Sequence, residues 1–141
     1  MAQSQTWTDT GIKELIERLT LPEATSGTEM ESIVGLNMAT PCAAVVGSTF
    51  GNPADTAVHH VADGLELAAI DTVGIATVNT ADDTAEFDHV FTATGTINVA
   101  GIHVCNNDDD VTFIECCFNA VLAMENSDTL TIDGQSTIDQ A

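Results

Sequence analysis

The chain has 141 residues, of which 22 are acidic and two are basic, giving a formal charge of -20 on a sequence that is 44% hydrophobic. So large an apolar share excludes a disordered acidic tail, which could not bury enough surface to offset chain entropy. So acidic a surface excludes nucleic-acid binding, because phosphates need Lys and Arg to displace their counterions.

The length suits one domain over residues 1–141 with a modest core. Only Lys13 and Arg18 are cationic, so self-repulsion at low ionic strength has few attractive pairs to offset it. At about 1 M salt the Debye length shrinks to roughly 3 Å and most of that repulsion is screened. The composition therefore points to a halophilic protein whose carboxylates hold water and cations. Tyr is absent and aromatic content is 4%, while Ala, Val, Ile and Thr dominate, which suits β-structure with a core of small branched residues. Such a core is thin, and a homo-oligomer would add burial. Residues 1–10 have neither a basic nor an apolar leader pattern, so no secretory signal is expected. The least charged stretch, residues 32–54, is broken by Gly and Pro and is too polar to span a bilayer, so no membrane association is expected.

In chain order, residues 8–21 predict an amphipathic helix. Ile12, Leu15, Ile16 and Leu19 fall at i, i+3, i+4 and i+7 and form one stripe, a candidate interface, with Pro22 closing the helix. Residues 24–35, rich in Thr, Ser, Gly and Glu, read as a connecting loop. Residues 36–139 read as a β-rich body. Weak strands are expected in 36–46 and 57–70, around the turn sequence GSTFGNPAD. Residues 73–79 and 85–93 read as strands, the second with Phe87, His89 and Phe91 on one face. In 96–105 the apolar alternation runs through Ile97 and Val99, then switches phase to Ile102 and Val104, as a bulge at Gly101 would require. Residues 111–124 form a long strand with Ile114, Cys116, Phe118, Ala120, Leu122 and Met124 on one face. The NSD sequence turns the chain into two final short strands. The fold class is mainly β, an antiparallel β-sandwich of jelly-roll-like form with one N-terminal helix.

No P-loop, Rossmann glycine pattern, HExxH or GxSxG motif is present. The four cysteines lack CxxC spacing and read as reduced and packed, with Cys116 and Cys117 on opposite faces of their strand. His59 and His60 also point to opposite faces and cannot readily share an ion, so the histidines read as surface or interface residues. Asp108, Asp109 and Asp110, beside Asn106 and Asn107, are the candidate metal site, since oxygen-rich loops can hold a structural Ca²⁺ or Mg²⁺. The EF-hand order is missing, and a solvated acidic loop explains the cluster equally. Glu115 interrupts an apolar strand, and the face it shares with Asn119 and Glu125 reads as solvent or subunit interface, because burying it unpaired would be costly.

The order of elements carries a resemblance. A WTDTG start feeds a short helix, a Gly- and Thr-rich middle follows, and then come FDHVFTATGTINVAGIHVC, a long apolar strand and SDTLTIDGQSTID. This resembles the small virion structural proteins of tailed phages and haloarchaeal tailed viruses, best over residues 85–139. Val99 and Ala100 stand where that pattern usually has Glu. The resemblance implies a non-enzymatic building block of a virion, a symmetric homo-oligomer in the tail or on the capsid surface that meets other virion proteins. The alternative reading is a halophilic cation- or carbohydrate-binding module built on the Asp108 to Asp110 loop, and a small hydrolase is a third.

Overall fold

Val-, Ile-, Phe- and Thr-rich runs separated by turn residues satisfy their backbone groups most readily by pairing with one another, and they do so in two antiparallel sheets. The computed structural model describes residues 3–7, 11, 30–42, 59–76, 84–106 and 112–137. Eight strands lie among them: β1 (Gln3–Trp7), β2 (Ser32–Leu36), β3 (Ala68–Ala69), β4 (Thr72–Ala76), β5 (Thr84–Thr92), β6 (Ile97–Cys105), β7 (Thr112–Met124) and β8 (Thr129–Thr137). The larger sheet has the order β1-β7-β6-β2-β3 and the smaller β4-β5-β8. Residues 32–35, expected as loop, are strand, and the two short strands expected at the end are one strand, β8. The expected helix, with Ile12, Leu15, Ile16 and Leu19, lies outside the described residues. Of that segment Gly11 is described: it is buried, and a side-chain carbon there would sit 2.6 Å from Phe113 Cα.

The shared core follows from period-two alternation. Ile33, Val104 and Ile114 align across β2, β6 and β7, while Ile102 pairs with Cys116. These residues join Phe87, Phe91 and Ile132 of the smaller sheet in one buried cluster. The other face of the larger sheet is buried too: β2 is buried throughout, as are residues 99–105 of β6 and 112–118 of β7. Alternation alone assigns that second face to solvent.

The phase switch expected at Gly101 is present as a bulge. Val99 pairs with Leu122 and Gly101 with Cys117, so Ala100 alone on β6 faces residues 118–121 of β7. A side chain at Gly101 would collide with the Cys116 carbonyl, so close backbone approach requires glycine there. The bulge splits the face expected on β7. Ile114, Cys116, Phe118 and Met124 are buried, whereas Ala120 is exposed.

Asp128 N–H donates to Glu125 O at 3.0 Å, closing the turn into β8, and Glu125 N–H donates to Asp128 Oδ2 at 2.8 Å. Ala93 N–H donates to Asp128 O at 2.8 Å, one step beyond the Thr92–Thr129 pair. Antiparallel hydrogen-bonded pairs recur every second residue. Leu130 and Ile132 therefore turn their backbone groups toward β5, and Thr129, Thr131 and Asp133 turn theirs away.

Cys42 and Cys117 form a disulfide, which corrects the expectation of four reduced cysteines. The partners are 75 residues apart in sequence, so no local spacing signals the bond. Cys105 and Cys116 are buried free thiols. Closing a loop of this length stabilises by roughly 4 kcal/mol in the chain-entropy account. A thiol titration of the denatured, unreduced chain is expected to count two thiols, rising to four after reduction. Four thiols before reduction would show that the bridge does not form.

Candidate functional site

Polar side chains are buried on the face of the larger sheet that points away from the smaller one. Val34, His103 and Glu115 align across β2, β6 and β7, so their side chains share that face. His59 reaches the same face because its backbone bridges Leu36 at the end of β2. His59 Nε2 and His103 Nδ1 are 2.7 Å apart with ring centroids 4.7 Å apart. His103 Nε2 lies 3.5 Å from Glu115 Oε1. This last distance is an electrostatic contact, too long for a hydrogen bond. His59, His103 and Glu115 are all 0% exposed, which corrects the surface expectation for the histidines and the solvent or interface expectation for Glu115.

Neutral His103 has one N–H, and Glu115 favours it on Nε2, the nitrogen facing the carboxylate. Nδ1 then accepts, and His59 Nε2–H donates to it. The two rings and the carboxylate form a relay with one polarity. The relay ties β6, β7 and the His59 segment together beneath the surface. Removing His103 takes a buried partner from both Glu115 and His59, at a cost of about 1–3 kcal/mol.

His60 points the other way, as adjacent residues in extended chain must. Its Nε2–H donates to the Asn98 carbonyl at 3.2 Å, and its own N–H donates to Gly35 O at 3.0 Å. Gly35 leaves room for this: a side-chain carbon there would meet the His60 ring at 2.9 Å. Burial holds the His60 imidazole below its ordinary value, opposed by the Asn98 carbonyl and by Asp63 and Glu66 nearby. His89 Nδ1 lies 3.1 Å from Asp71 Oδ2, an ion-pair distance without hydrogen-bond alignment. The same oxygen accepts from Val90 N–H at 3.1 Å, so Asp71 extends the ladder of β5 beyond the start of β4.

A second feature lies between the sheets. Phe87, Ile102, Cys116, Phe118, Leu122 and Ile132 wall a cavity of about 460 Å³. Burial, with a smaller push from Glu115, raises the Cys116 thiol to about 12, so it stays protonated and is a poor nucleophile. On the outer face of the smaller sheet Asp88 and Asp133 stand directly opposite each other, an unfavourable like-charge pair. Among the described residues no group of three or more His, Cys, Asp or Glu side chains is arranged to hold a metal ion. Asp108, Asp109 and Asp110 lie outside the described residues.

The relay was not legible: alternation placed Glu115 on a solvent or interface face, and the four histidines read as surface or interface residues. The pairing of His59 with His103 had no sequence signal, because 44 residues separate them.

His103→Leu is expected to lower unfolding stability by about 2 kcal/mol. In a double-mutant cycle, His59→Leu is expected to cost about 1 kcal/mol less in the His103→Leu background than alone. Strict additivity would dissolve the relay. For His60, the unfolded chain takes up a proton near pH 6.5 that the folded chain accepts only at lower pH. Its share of stability is therefore complete above that range and is lost as pH falls through it toward the folded value. His60→Gln retains a donor for the Asn98 carbonyl and is expected to flatten the fall in urea midpoint between about pH 7 and 5; an unchanged slope would assign the effect to other groups.

Comparison with family models, curated proteins and solved structures finds no match to this chain.

Proposed function

We propose that the chain is a non-enzymatic structural subunit of a haloarchaeal tailed virus, assembling as a symmetric homo-oligomer in the tail or on the capsid surface. The observation that carries this reading is the position of β8 as the outermost strand of the order β4-β5-β8, with the backbone groups of Thr129, Thr131 and Asp133 turned outward. An outward strand edge is a template for pairing with another chain. At a charge of -20, subunits of this protein cannot adhere through many Lys or Arg salt bridges, and backbone pairing is the route left alongside apolar burial and shared cations.

Two further features support the reading. A disulfide such as Cys42–Cys117 suits a protein that works outside the reducing cytosol, virion surfaces included. The opposed carboxylates of Asp88 and Asp133 repel less when salt screens them, as in a halophile's medium. The resemblance to virion proteins is best over residues 85–139, which span β5 to β8. The reading needs a two-sheet sandwich and does not depend on a jelly-roll-like strand order.

In about 3 M KCl, where screening is nearly complete, light scattering is expected to give an integral multiple of the 14.7 kDa subunit mass. Thr131→Pro, which removes an outward N–H, is expected to reduce the mass to that of one subunit with the β circular dichroism retained. Dialysis to about 0.05 M salt, where the Debye length exceeds 10 Å, is expected to dissociate or unfold the assembly. A stable monomer at high salt would overturn the assembly, and unchanged mass and dichroism at low salt would overturn the halophile reading.

A further inference from the structure

β5, β6, β7 and β8 wall a partly open cavity of about 460 Å³ between the two sheets. That volume falls within the range of small-molecule sites, roughly 300–1,000 Å³. Both sheets contribute its walls: Phe87 and Ile132 from the smaller, and Ile102, Phe118 and Leu122 from the larger.

Two local devices keep the space open. At the Phe87–Gly134 cross-strand pair the Phe87 ring lies over Gly134, where any side chain would collide with it. A larger residue at 134 would push the ring off its seat. On the other side, the bulge at residues 118–121 resets β7 so that both Phe118 and Leu122 line the space while Ala120 faces out. Bulges that re-aim side chains in this way are frequent beside binding sites.

The rim selects the ligand class. Thr131, Asp133 and Gln135 border the cavity, and Asp133 is exposed. A carboxylate or phosphate entering here would meet the like charge of Asp133. We propose that this cavity binds a small uncharged apolar molecule, an aliphatic chain with a neutral polar end. The chain lies between Phe87 and Phe118, and its neutral end meets the outward backbone groups of Thr131 and Asp133 at the β8 edge. Such a ligand completes the core between the sheets, so binding is coupled to folded-state stability. The inference stands on the cavity and is independent of the virion reading.

The test uses the full chain in about 3 M KCl and the uncharged fluorophore N-phenyl-1-naphthylamine. The expected result is saturable enhancement at one probe per chain, reversed by decanol but not by decanoate, with decanol raising the thermal midpoint. Leu122→Trp fills the cavity and is expected to weaken probe binding at least about tenfold while the protein still melts cooperatively. If that variant does not fold, Ile132→Phe fills the same space from the other sheet. No saturable binding to the wild-type chain, or unchanged binding in a folded filled variant, would overturn the proposal. Equal displacement by decanoate would overturn the uncharged ligand class. Probe binding that appears only when the assembly dissociates would overturn it as well, by assigning the cavity to cover by a second copy.

Discussion

His103 and Glu115 face each other across the two central strands of the larger sheet with no access to solvent, and the surrounding structure depends on that buried pair. The imidazole serves that carboxylate by presenting its N–H, which fixes the ring's tautomer and leaves the other nitrogen to accept from His59. His59 must then be brought over the end of β2, which its backbone bridge to Leu36 accomplishes. Three side chains and three segments are thereby specified together. A one-residue slip of β6 against β7 would turn His103 to the opposite face, toward Ile114, and part it from Glu115. Buried polar groups of this kind are better understood as setting register than as adding net stability.

The chain's extreme acidity and its buried relay divide the molecule into two electrostatic regimes. Exposed carboxylates such as Asp88 and Asp133 sit in high dielectric, where salt readily screens them. Inside, the relay, the protonated Cys116 thiol and the neutral-leaning His60 answer to burial and local geometry, and mobile ions barely touch them. High salt therefore acts on the surface term while leaving the register-setting interactions intact. A disulfide from Cys117 to Cys42 holds the same face of the sheet covalently, where ionic strength has no influence.

Sequence patterning was a good guide wherever one face of a strand meets the core and the other meets water. β5, with Phe87 and Phe91 inward, and the Gly101 phase switch were legible for that reason. It failed where the larger sheet is buried on both faces, because alternation cannot distinguish a second buried face from a solvent face when that face holds His, Cys and Glu. The surface reading of His59, His103 and Glu115 followed directly from that ambiguity. Residues 32–35 sit at the end of a stretch, 24–35, whose Thr, Ser, Gly and Glu show no sustained period and so read as loop. The Cys42–Cys117 bridge and the inter-sheet cavity depend on contacts far apart in sequence, which no local period encodes. Of the named candidates, Asp108, Asp109, Asp110 and the stripe from Ile12 to Leu19 fall outside the described residues, so the constellation that did emerge is a different one.

The buried N–H···N hydrogen bond is the most direct object of measurement. In uniformly ¹⁵N-labelled protein the account predicts a scalar coupling between His59 Nε2 and His103 Nδ1 across a 2.7 Å hydrogen bond, with its proton protected from exchange with water. Single, non-averaged tautomers for both rings should accompany it. Tautomer-averaged imidazole signals whose protons exchange rapidly with solvent would contradict the account, because they would place these histidines in water.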